Sequence, residues 1–63
     1  MRYRITEIRR ERGLTPGELA EKARISTPLL LALEAGKLKL VTPQTLLNVA
    51  KALETSVDDL FCL

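Results

Sequence analysis

The reactive and charged side chains set the first limits. The chain has no histidine and one cysteine, Cys62. Its carboxylates form no pair in a recognisable catalytic setting. A metal site needs several His, Cys or carboxylate ligands, and covalent catalysis needs a nucleophile with a base to activate it. Neither is expected here, nor is an enzyme or a cofactor. A lone cysteine closes no internal disulfide, so a free thiol in a reducing cytoplasm is the expectation. What remains is contact with anions. Arg2, Arg4, Arg9, Arg10 and Arg12 crowd the N-terminal end against Glu7 and Glu11, whereas Asp58 and Asp59 sit at the other end. The net charge of +2 says little about partners by itself. A basic end can attract a polyanion. It can equally be a solvated helix face with local ion pairs.

These residues need a scaffold, and 63 residues suffice for one domain, taken as 1–63. A domain this small buries only about 60% of its unfolded surface. Tyr3 and Phe61 are the only aromatics, so the core must come from Leu, Ile, Val and Ala. That palette suits packed helices. No apolar run reaches membrane-spanning length and no signal-peptide pattern is visible, so no membrane contact is expected.

Three Thr-Pro pairs punctuate the chain: Thr15-Pro16, Thr27-Pro28 and Thr42-Pro43. Threonine caps a helix by accepting from an orphan N–H, and proline suits the first helical position. Each pair therefore predicts a helix start. Glu18 lies three residues after Thr15 and completes a capping box. Ser56 with Asp59 makes a fourth start. Gly13 and Gly36 fall where a left-handed residue would close a helix. Five helices follow, at about 5–12, 16–23, 27–35, 43–53 and 57–62. Apolar residues recur at helical spacing: Ile5 and Ile8, then Leu19, Ala20 and Ala23, then Leu46, Leu47, Val49, Ala50 and Leu53. Residues 2–5 and 37–41 alternate polar and apolar. They read as an extended N-terminus and an ordinary loop, or as two short paired strands.

The segment Thr15 to Gly36 is then a helix-turn-helix, with small Ala20 allowing close approach and Leu19, Ile25, Leu30 and Leu33 beneath. Here the sequence resembles the lambda-repressor/Cro-type helix-turn-helix family. The residues that carry the likeness span nearly the whole chain: Arg12-Gly13-Leu14-Thr15, Glu18-Leu19-Ala20-Glu21-Lys22-Ala23, Leu33-Glu34-Ala35-Gly36-Lys37, Ala50-Lys51-Ala52-Leu53 and Ser56-Val57-Asp58-Asp59-Leu60-Phe61. The Lys-rich loop before the fourth helix looks like a subgroup of small stand-alone regulators. The resemblance implies an all-α, five-helix, lambda-repressor-like DNA-binding domain. It also implies an ion pair between Arg9 and Glu34 that locks the third helix to the scaffold.

For function it implies transcriptional regulation by a homodimer bound to double-stranded DNA. The third helix would lie in the major groove, two such helices being spaced by about one DNA turn, ~34 Å. Base-facing positions become Thr27, Pro28, Leu31 and Ala32. Phosphate-facing positions become Thr15, Pro16, Gly17, Lys37 and Lys39. No small-molecule site is evident. The chain departs from the family pattern in that outward set. Bidentate side chains usually read bases, and this set offers one hydroxyl and apolar surface that can meet thymine methyls. Pro16 stands where the family commonly has an amide side chain, Ala35 where it often has a polar contact, and Arg24 where the turn usually has Gly. Leu29 and Leu31 are left over by a core that uses Leu30 and Leu33. The alternative function is therefore a protein-interaction or self-association domain on the same fold, using the leucine-rich third helix. Val57, Leu60, Phe61 and Leu63 are the candidate dimer residues.

Overall fold

The computed structural model describes residues 3–38 and 41–61. Among these, four α-helices form: α1 (Ile5–Glu11), α2 (Pro16–Ala23), α3 (Thr27–Glu34) and α4 (Pro43–Ala52). The expected fifth helix over 57–62 is instead a single 3-10 turn, Asp58–Leu60. Its brevity has a local cause. Phe61 turns extended, at φ −87° and ψ 139°, and forms an isolated antiparallel bridge with Tyr3. Arg4 N–H donates to Leu60 O at 2.7 Å, and the Tyr3 and Phe61 rings stand 5.6 Å apart. The chain thus leaves helical geometry to join its two ends. Tyr3 pairs with the C-terminal segment and not with the 37–41 loop, of which Lys39 and Leu40 lie outside the described residues.

Side chains cap three helices. Thr15 and Glu18 form the full reciprocal capping box on α2. Thr42 Oγ1 accepts from Thr45 N–H at the start of α4. At α3 the cap is shifted by one residue: Ser26, not Thr27, accepts from Leu29 N–H, and Thr27 is the first helical residue. A serine and a threonine side by side are both competent caps, so sequence alone does not choose between them. All four helices end alike. Gly13 at φ 70°, Arg24 at 58°, Gly36 at 69° and Glu54 at 56° are left-handed. Each is followed by a residue whose N–H reaches back five positions, as in Leu14 to Arg9 O and Ile25 to Ala20 O. This is the Schellman closure, and it satisfies carbonyls that would otherwise be orphaned. Arg24 and Glu54 hold it without the freedom of glycine, at about 1 kcal/mol each.

The closures turn every helix onto one core. Ile5 and Ile8 enter from α1, Leu19, Ala20 and Ala23 from α2, Leu30 and Leu33 from α3, and Val49 and Ala50 from α4. Leu53 and Leu60 complete it, with no exposed surface. Leu47 is 37% exposed, so the buried face of α4 is narrower than its apolar pattern suggested. α2 is central, packing on both α3 and α4.

Two polar ties fasten this core. Arg9 Nε donates to Glu34 Oε1 at 3.0 Å, Thr6 Oγ1 donates to the same oxygen at 2.7 Å, and Arg9 Nη1 donates to Leu14 O at 2.9 Å. The two charged side chains keep 11% and 7% of their surface. Glu34 Oε2 is buried without a partner among the described residues, which offsets part of the gain. The second tie is Arg12 Nε to Leu53 O at 3.0 Å, from the end of α1 to the end of α4. Glu34→Ala would strand the Arg9 guanidinium in a dry site, at about 3–5 kcal/mol. We expect a lowered Tm in a thermal melt, and an unchanged Tm would remove the pair from the list of restraints on α3. Conversely, Glu54→Gly should relax the left-handed exposed position and raise stability by about 0.5 kcal/mol after the entropy of the unfolded glycine is counted. A lowered Tm would show that the Glu54 side chain contributes more than its backbone costs.

Candidate nucleic-acid interface

α3 is eight residues long and divides into two faces. Leu30 and Leu33 point into the core. At 100° per residue, Pro28, Leu31 and Ala32 fall on the opposite arc, with Thr27 at its edge. Their exposure agrees with that arc: Thr27 and Pro28 are exposed, Leu31 is 49% exposed and Ala32 is half-buried. Leu29 and Leu31, both spare in the sequence, differ. Leu29 is half-buried on the flank, and Leu31 stands out. The outward face therefore carries one unengaged side-chain hydroxyl, Thr27, beside two methyl-rich residues. The three-residue turn Arg24, Ile25, Ser26 between α2 and α3 fixes how the face is presented.

The start of α2 has fewer free donors than a helix N-terminus usually offers. Thr15 N–H donates to Glu18 Oε1 at 2.9 Å, and Glu18 N–H donates to Thr15 Oγ1 at 3.1 Å. Pro16 has no N–H. Gly17 keeps the one free backbone donor of that turn among the described residues. A phosphate approaching there would meet Gly17 N–H and the Thr15 hydroxyl, with the Glu18 carboxylate alongside. After α3, Lys37 is exposed and Lys39 lies outside the described residues.

Among the described residues, the N-terminal arginines do not form one basic patch. Arg9 is buried against Glu34, Arg4 Nε stands 3.6 Å from Glu7, and Arg12 is held by Leu53 O. Arg10 remains exposed, and Arg2 lies outside the described residues. The C-terminal dimer candidates are also largely engaged inside the chain. Leu60 is fully buried, Phe61 packs on Tyr3 and Val57 lies against the core, while Leu63 and Cys62 are outside the described residues. Sequence reading missed the roles of Ser26 as a cap, Thr6 and Arg12 as hydrogen-bonding ties and Glu54 as a left-handed closure. Only Ser26 had a signal, being a good cap next to a Thr-Pro pair. No helix among the described residues is long and apolar enough to cross a membrane.

Known proteins give this geometry a context. The family model of the Cro/C1-type helix-turn-helix DNA-binding domain matches residues 4–63. A chain of the SinR protein/SinI protein complex is similar in structure, with a TM-score of 0.81 and 35% sequence identity. The match covers 86% of the present chain and 52% of that one, so this chain spans about half the length of the solved relative. No curated protein matches. The chain belongs to the Cro/C1-type helix-turn-helix family, and it is a DNA-binding domain of that type.

The capping box makes a pH prediction. The Glu18 carboxyl is held below its ordinary value of 4.5, first by the Thr15 backbone hydrogen bond, then by the Thr15 side chain, with Lys22 adding a smaller pull. A carboxyl lowered in the folded state stabilises fully above its unfolded pKa and loses that share as pH falls through its folded pKa. Glu18→Gln should therefore melt lower than wild type near neutral pH, and the gap should close as the wild-type carboxyl is protonated below pH 4.5. A gap of constant size down to low pH would contradict a role for the charge.

Proposed function

We propose that this domain is a transcriptional regulator that binds duplex DNA as a two-fold dimer, with α3 in the major groove. The observation that carries the reading is the division of α3. Leu30 and Leu33 anchor it from below, leaving Thr27, Pro28, Leu31 and Ala32 outward in a family whose fold binds DNA. Thr27 is the polar reader, and Leu31 and Ala32 meet thymine methyl groups. Thr15, Pro16 and Gly17 at the start of α2, with Lys37 and Lys39 after α3, lie along the phosphates. Because one hydroxyl and two methyl-bearing side chains discriminate poorly, most of the affinity comes from the backbone, and sequence preference is modest.

A second reading has one observation in its favour. Leu31 is among the most exposed large apolar residues, and the solved relative is named as part of a complex of two proteins. On this reading the same face of α3 meets a protein or a second copy of the chain.

Selection from a random duplex library at two salt concentrations tests the first reading. Enrichment of a short palindrome, with affinity falling steeply as salt rises, is the expected outcome. No binding to any duplex at low salt would overturn it. If Leu31→Lys then abolished self-association, the second reading would replace it.

A further inference from the structure

A second polar feature lies away from the outward face of α3. The C-terminal end of α2 and one side of α4 enclose an open groove of about 600 Å³, walled by Lys22, Arg24, Gln44, Asn48 and Lys51. Gln44, Asn48 and Lys51 recur at helical spacing, so they form one stripe along α4. The lining contains three cations and no carboxylate. None of the three cations makes an ion pair among the described residues, where only Arg4–Glu7 and Arg9–Glu34 pair. Gln44 Nε2 donates to Asn48 Oδ1 at 2.8 Å, which holds the two amides in place and leaves the Asn48 NH₂ free to donate. Arg24 closes α2 as Glu54 closes α4, but only the Arg24 side chain lines the groove. Arg24 keeps a left-handed backbone, φ 58°, where glycine would be unstrained.

We propose that this groove is a phosphate-binding site. The Arg24 guanidinium supplies a planar fork for two phosphate oxygens, Lys22 and Lys51 supply point charges, and the amide stripe supplies neutral donors. The phosphate comes from one of two sources: the backbone of the DNA on which α3 rests, or a separate phosphorylated small molecule. Arg24 is three residues before Thr27, so the groove lies at the entry to α3, and the DNA source requires the strand to pass there. Only this DNA source rests on the function proposed above.

Arg24→Gly and Lys51→Gln, singly and together, test the site, with Arg10→Gln as a control for net charge. Arg24→Gly relieves the left-handed strain, and Lys51 is exposed, so all the variants should melt near or above wild type. Inorganic pyrophosphate is titrated against the whole chain by NMR. Saturable shifts at Arg24, Gln44, Asn48 and Lys51 are expected, with affinity at least ~10-fold lower in the double variant. In parallel, the salt slope of duplex binding is measured. A slope reduced by about 1–2 in the double variant, and unchanged in Arg10→Gln, assigns the phosphate to DNA, whether or not pyrophosphate also binds. Pyrophosphate shifts with an unchanged slope assign it to a small molecule. No shifts and no slope change beyond the control overturn the site. If the wild-type chain binds no duplex, the DNA reading fails and the pyrophosphate titration alone decides the groove.

Discussion

Everything in this molecule depends on a shared core that no helix can build alone. The helices run from seven to ten residues, below the length at which an isolated helix persists in water. Each offers only two or three buried side chains, so each is stable only while the others are in place. The left-handed closures bring this about. They end each helix within a residue or two of its last buried position and swing the next one back over the same centre. Two arginines then carry hydrogen bonds between distant parts of the chain, Arg9 to Glu34 and Arg12 to Leu53.

That constraint also explains why one face of α3 is free. An eight-residue helix whose Leu30 and Leu33 are committed to the core, and whose Glu34 faces α1, must turn its remaining arc outward. The scaffold thereby presents a helix whose outward chemistry is independent of folding. Its residues here are a hydroxyl, a proline, a leucine and an alanine, which place little hydrogen-bonding demand on a partner. Charge is found elsewhere, along the groove between α2 and α4.

The helix positions were legible because their signals are local. Thr15, Glu18, Thr42 and the two glycines act on neighbours within a turn, and the apolar spacing shows which side is buried. What was not legible depends on distant parts of the chain. The C-terminal segment carries helix-like residues, but the bridge from Phe61 to Tyr3 draws it out after one turn. Glu54 carries no mark of a left-handed residue and adopts it because Leu53 must reach the core. Leu47 fits the apolar pattern of α4, yet the narrow core leaves it part-exposed. The outward face was visible as a list of residues. Its division into a flanking Leu29 and a protruding Leu31 required the packing of α3. The groove drew no notice in the sequence, because Lys51 is far along the chain from Lys22 and Arg24 and meets them only through the packing of α2 on α4.

The central claim is that the outward arc of α3 is the surface that meets duplex DNA. The most direct measurement is amide and methyl chemical-shift mapping of the chain titrated with a duplex. The account predicts the largest changes at Thr27, Leu31 and Ala32, with core residues Leu30 and Leu33 moving little. Changes confined to other surfaces, with the arc of α3 unperturbed at saturation, would contradict it.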